Sequence, residues 1–174
     1  MDSALQELLD ERAIRRVLAL YAHGCDRCDE RLMASTYVAD SWDDHGHVKA
    51  NGAEFSLIMT QELIPSMSET LSHLLGQSLI ELEGDEARAE TYFIAVTRHH
   101  AEGKPTCNQL GGRYVDRLRR ERGEWKIVER ICLRDWSVSI PVEADSFAAA
   151  RLTPGGRGPD DPGAALLGLA YKHA

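Results

Sequence analysis

Three side chains able to move protons stand out: Tyr21, Asp26 and His73. Tyr21 lies on the stripe Ile14, Val17, Leu18, Tyr21, Cys25, spaced as one buried helix face. Asp26 follows that stripe by one residue, where the helix is ending. A carboxylate there is either an exposed helix-end group or a partly desolvated one that needs a partner. His73 stands among Leu71, Leu74 and Leu75 at the start of a strand-like stretch. Alone, such a histidine is a satisfied half-core residue. Paired, Asp26 and His73 make a general-base dyad. The carboxylate orients the ring and stabilises imidazolium, and imidazole exchanges protons near neutral pH. Spacing alone does not bring the two together.

Other clusters carry weaker signals. His45-Gly46-His47 follows Asp43 and Asp44. On a strand, residues 43, 45 and 47 share a face and could surround one ion. The competing reading is a solvated polar edge near a turn, and no metal is expected. Cys25-x-x-Cys28 lacks a second pair at usable spacing, because Cys107 and Cys132 are lone residues on separate stretches. The four thiols are expected to be reduced and inert. His99 and His100 point to opposite faces of a strand, so at most one faces an interior. No G-x-G-x-x-G, G-x-x-x-x-G-K-[ST] or G-x-S-x-G motif occurs, and no cofactor is expected.

The elements that must position these residues are legible in outline. Ser3-x-x-Gln6 is a capping-box pattern that starts the first helix. Asp29 is an N-cap candidate for a short second helix carrying Leu32 and Met33. Residues 41–49 read as extended, ending at an Asn51-Gly52 turn. Phe55, Ile58, Met59 and Leu63 repeat at helical spacing, and Pro65 is expected to end that helix. Four long strand-like stretches follow, at about 70–83, 87–101, 107–120 and 124–139. Short turns such as Glu83-Gly84-Asp85 separate them, so an antiparallel meander is expected. Helices first and sheet second is the α+β pattern. Gly111-Gly112, inside a strand, marks a bulge or a close backbone approach. Residues 153–163 hold three prolines and four glycines and form a loop or arm. Ala164 to Ala170 is a short apolar stretch able to dock as a helix, on this chain or a neighbour.

Composition bounds the rest. The chain has 174 residues, 20 Lys plus Arg against 28 Asp plus Glu, and a net charge of −8. That length fits one domain with a real core. The acidic balance argues against nucleic-acid and anionic-membrane partners. No basic segment followed by an apolar run opens the chain, so a cytoplasmic protein is expected.

Several segments together resemble the SnoaL-like branch of the nuclear-transport-factor-2-like superfamily, over roughly residues 8–140. The first is Ile14-Arg15-Arg16-Val17-Leu18-Ala19-Leu20-Tyr21, leading to Cys25-Asp26-Arg27. Then come Ser72-His73-Leu74-Leu75-Gly76 and Gly111-Gly112-Arg113-Tyr114-Val115-Asp116-Arg117. Last are Trp125-Lys126-Ile127-Val128-Glu129-Arg130 and Arg134-Asp135-Trp136. The resemblance implies a cone-shaped, barrel-like fold over residues 1–140, with a C-terminal arm over 141–174. In that fold a curved antiparallel sheet packs on N-terminal helices and encloses a deep pocket. Members of this family include cofactor-free lyases: scytalone dehydratase, hexachlorocyclohexane dehydrochlorinase and bile-acid 7α-dehydratase. Asp26 and His73 match the dehydrochlorinase's dyad positions, Tyr21 matches a tyrosine of the bile-acid enzyme, and Arg130 matches a common last-strand arginine. Val96 stands where the bile-acid enzyme has an acidic residue.

The expected function is a dehydratase or dehydrohalogenase type of lyase. Catalytic candidates are His73, Asp26, Tyr21 and Arg130. Substrate-binding candidates are Trp42, Tyr92, Arg113, Trp136 and His99, and the rings of Trp42, Tyr92 and Trp136 point to a small cyclic or aromatic substrate. The alternatives are a retro-aldol lyase on an aromatic diol, an isomerase or cyclase of polyketide or steroid type, and a ligand-binding protein without catalysis. The family resemblance also implies a homo-oligomer, dimer or trimer.

Overall fold

Helix α1 (Ser3–Arg27) buries Ile14, Leu18, Tyr21 and Cys25, the stripe that the apolar spacing marks out. The computed structural model describes residues 3–101, 103–142 and 151–168. Gly24 does not stop the helix. It lets α2 (Glu30–Ser35) approach, since a Cβ there would lie 2.8 Å from the Met33 backbone nitrogen. Asp29 caps α2 as expected, its Oδ1 accepting from the Leu32 N–H at 3.0 Å.

Two local expectations fail. Asn51-Gly52 is a helix start, not a turn. Asn51 Oδ1 accepts from the Ala53 and Glu54 N–H groups, both at 3.1 Å, and caps α3 (Gly52–Leu57). Nor does Pro65 end the helix. A π-helical segment (Ile58–Leu63) continues α3 into α4 (Ile64–Met67), where Pro65 sits in the first turn. A proline is tolerated there because its missing N–H falls where the hydrogen-bond pattern changes.

The strands are β1 (Tyr37–Asp44), β2 (Lys49–Ala50), β3 (Thr70–Glu83), β4 (Glu86–Ala101), β5 (Lys104–Glu121) and β6 (Glu124–Pro141). They form one six-stranded sheet in the order β2-β1-β6-β5-β4-β3. β3 to β6 make the expected antiparallel meander. The β1–β6 pair is parallel, which departs from an all-antiparallel sheet. The helices and the rest of the meander supply the long crossover that parallel pairing requires. The sheet is curved and unclosed, with N-terminal helices packed on it, an α+β architecture. Register shifts interrupt β3 between Leu75 and Ser78 and β5 between Gly111 and Gly112. At the second, a Cβ on Gly112 would lie 2.0 Å from the Leu133 carbonyl oxygen, the close approach expected of this pair.

Alternation along β4 turns Phe93, Ala95, Thr97 and His99 toward the helices and Tyr92 and Ile94 away. In the arm, Arg157 Nη2 donates to Ser68 Oγ at 3.0 Å and Asp161 pairs with Arg27 at 3.5 Å. Helix α5 (Ala164–Leu167) forms within the apolar stretch, of which residues 169 and 170 lie outside the described residues. No described helix is long and apolar enough to cross a membrane.

Candidate active site

The concave side of the sheet and the helices over it enclose a cavity of about 520 Å³, within the range of small-molecule sites. The last turn of α1 carries Asp26, buried behind the cavity lining. Opposite stands His73 on β3, which pairs with β4 on one side only and so is an edge strand. Edge strands have spare backbone donors, and Asp26 takes one. Its Oδ2 accepts from the His73 backbone N–H at 2.9 Å, while its Oδ1 meets His73 Nδ1 at 2.6 Å. Both side chains are about nine-tenths buried, and His73 lines the cavity. With Nδ1–H donated to the carboxylate, Nε2 is left as the basic nitrogen.

Tyr21 also lines the cavity and is 1% exposed. Burial pushes its phenol well above the ordinary tyrosine value, so it stays protonated as a donor. The aromatic floor is Phe93 and Tyr114, stacked with centroids 4.3 Å apart and planes 14° from parallel. Cys25 and Cys132 touch the same cavity. Burial raises both thiols, Cys132 to about 11, so they stay protonated and unreactive near neutral pH.

Arg130 is not where a substrate contact would be. It is 0% exposed and outside the cavity lining. Its Nε and Nη2 donate to the two oxygens of Asp116, each at 2.7 Å. The guanidinium lies between the rings of Tyr21 and Tyr114, 4.0 and 4.1 Å from their centroids. Arg130 therefore supports the two tyrosines from behind.

Four substrate-binding candidates lie on the outer face. Trp42, Tyr92 and Trp136 are 49%, 41% and 46% exposed, and none lines the cavity. Each sits out of phase with the inward residues of its strand: Trp42 beside Asp43, Tyr92 beside Phe93, and Trp136 separated from Arg134 by the extra residue Asp135. Arg113 is out of phase with Tyr114 and pairs with Glu90 at 3.0 Å and Asp135 at 3.3 Å. His99 does line the cavity, whereas His100 is half-exposed and pairs with Glu69 at 2.6 Å.

One lining residue, Asn108, carries no signal in the sequence, and the Asp43–His45 cluster takes a different arrangement from the one its spacing suggests. Asn108 lines the cavity as His99 does, and among the described residues neither Asn108 Oδ1 nor His99 Nδ1 has a hydrogen-bond partner although both atoms are buried. His45 also lines the cavity, at 9% exposure, with Nδ1 on Asp43 Oδ1. Asp43 is 0% exposed, and Tyr37 Oη donates to its other oxygen. Asp43 and His45 are thus bonded to each other rather than spread around a shared ion. The sequence signal was the strand parity of 43 and 45, read there as possible metal ligation.

The SnoaL-like domain profile matches residues 6–131. Solved structures share the fold. A candidate scytalone dehydratase from Novosphingobium aromaticivorans is 24% identical, with a TM-score of 0.67 over 79% of this chain and 92% of that one. A type-3 hexachlorocyclohexane dehydrochlorinase from Novosphingobium barchaimii is 16% identical, with a TM-score of 0.71 over 82% and 97%. A protein of unknown function from Mycobacterium tuberculosis is 19% identical, with a TM-score of 0.67 over 98% and 91%. No curated protein sequence matches significantly. With the profile spanning most of the chain and the same helix-covered sheet recurring in these structures, the protein belongs to the SnoaL-like domain family.

Proposed function

We propose that the protein is a cofactor-independent lyase acting on a small cyclic or aromatic molecule. The observation that carries this reading is His73 on the cavity wall, with its Nδ1 held by the Asp26 carboxylate at 2.6 Å. His73 Nε2 removes a proton from a carbon, and a leaving group departs from the neighbouring carbon. Asp26 stabilises the imidazolium, a general-base contribution of about 10²–10⁴-fold. Tyr21 donates to the oxygen on which charge develops.

The stacked Phe93–Tyr114 floor suits a planar ring, taking the part first expected of Trp42, Tyr92 and Trp136. The unpartnered His99 Nδ1 and Asn108 Oδ1 would meet a polar substituent on that ring. Two structural neighbours carry the names of a dehydratase and a dehydrochlorinase, both elimination enzymes.

The test is turnover of cyclic β-hydroxy and β-chloro ketones, followed by product mass. Loss of water or hydrogen chloride that His73→Ala abolishes, with circular dichroism unchanged, supports the reading. Near-wild-type turnover in that variant would sink the dyad. Products of unchanged mass would assign an isomerase instead.

A further inference from the structure

The cavity has a second histidine held as His73 is. His45 Nδ1 is bonded to Asp43, which is fully buried and takes its other hydrogen bond from Tyr37. The turn that presents the ring is built for it: Gly46 has φ +78°, and its N–H donates to Asp44 Oδ1 at 2.8 Å. The free Nε2 of His45 lies 3.4 Å from Tyr21 Oη. That is long for a direct bond, but it lets both groups converge on one third atom. His45 and His73 flank the same Tyr114 ring, with centroids 6.0 and 6.4 Å from it. A single base needs one such dyad. Two, buried and facing one cavity, make a matched acid and base.

We propose that Tyr37, Asp43 and His45 form a second proton-transfer unit, in which His45 is the general acid that protonates a departing hydroxyl. This rests on the lyase reading. It narrows the substrate class to cyclic compounds bearing a hydroxyl β to an acidic C–H, rather than halides. Chloride leaves as a stable anion, whereas hydroxide is a poor leaving group and needs a proton. In the step, His73 Nε2 takes the proton from carbon and the C–H electron pair becomes the new C=C bond. The C–O bond breaks with its electrons on oxygen, and the proton of His45 Nε2 completes a water molecule. Tyr21 hydrogen-bonds that same oxygen. His73 ends protonated and His45 neutral, and solvent resets both. Asp43 and Tyr37 are positioning residues that fix the ring.

The experiment compares matched β-hydroxy and β-chloro cyclic ketones as probes in wild type, His45→Gln, Asp43→Asn and His73→Ala, with melting curves confirming each fold. The expected result is that His45→Gln slows water loss by about 10²–10⁴-fold while chloride loss stays within a few-fold. Asp43→Asn should show the same selectivity in kcat with little change in KM. His73→Ala should slow both reactions. Equal losses on both probes in His45→Gln, or no loss on either, would overturn the acid role while leaving His73 as base. If His45→Gln does not fold, the Asp43→Asn ratio decides alone. Chloride loss that survives His73→Ala would instead remove the Asp26–His73 dyad as the base, and with it the acid–base pairing proposed here. A wild type that turns over neither probe overturns both.

Discussion

The Tyr21 ring lies across the Arg130 guanidinium, 4.0 Å from it, and so ties the cavity wall to a fully buried ion pair. Burial alone would lower the arginine's pKa, but the Asp116 charge and hydrogen bonds reverse this and hold it well above its ordinary value. Arg130→Met should therefore cost about 3–5 kcal/mol, since it strands the Asp116 carboxylate in the interior. Adding Asp116→Leu should recover much of that loss. Urea denaturation of the single and double variants checks both. A single variant as stable as wild type would contradict the buried pairing.

Tyr21→Phe separates the ring from the hydroxyl. The ring still covers Arg130, and the lost contact to His45 is long at 3.4 Å, so stability should change by no more than about 1 kcal/mol. Activity should fall about 10²–10³-fold, the usual cost of deleting one donor to a developing oxyanion. The fall should appear in kcat rather than KM. Steady-state kinetics with a turned-over probe reads this directly.

Far from the cavity, Asp10 accepts from Arg120 Nη1 at 2.7 Å, Arg120 Nη2 at 2.8 Å and Trp125 Nε1 at 3.0 Å. Hydrogen bonding from Arg120, opposed by burial, lowers its pKa from 3.8 to about 2. The folded-state value lies below the unfolded one. The pair's stabilisation is therefore fully present above about pH 4 and is lost as pH falls toward 2. Asp10→Asn should lower stability at pH 7 by roughly 1–3 kcal/mol, and its melting curve should approach that of wild type in acid. A gap that stays constant with pH would contradict the linkage.

The outer face of the sheet exposes Tyr92 and Ile94 on β4 and Ile131, Leu133 and Trp136 on β6, the two strands on either side of β5. Contiguous apolar strips of this kind mark association surfaces. We propose that a second copy of the chain covers it, giving a dimer or trimer. Sedimentation of wild type should show that species, and Trp136→Glu should shift it toward monomer. A monomeric wild type at micromolar concentration would remove the proposal.

The four meander strands were legible because their alternation is long and their turns carry glycine at positive φ, as at Gly84 and Gly123. The parallel β1–β6 pair was not, because it joins segments far apart in the chain. The outward position of Tyr92 is legible in the strand pattern. The alternation Ala87, Ala89, Thr91, Phe93 already put it on the opposite face. Arg130 needed the register of β5 on β6, which sets it opposite Asp116, and no local pattern encodes that. Asp26 and His73 each had an ordinary local reading. Their meeting came from the family resemblance, and the distance only from the fold. His45 was visible by parity, while the bond between its Nδ1 and the Asp43 carboxylate is set by the fold.

Asp26 also guards the sheet. The N–H it holds belongs to His73 on the outer side of the edge strand β3, the kind of donor to which a stray strand from another molecule adds. His73→Ala removes the ring but keeps that backbone bond. Asp26→Ala frees the donor at the rim of a long β-strand. The two variants should be equally inactive and unequal on storage, with Asp26→Ala forming thioflavin-positive aggregates sooner. The carboxylate that orients a base would then also be what keeps this open edge from recruiting its neighbours.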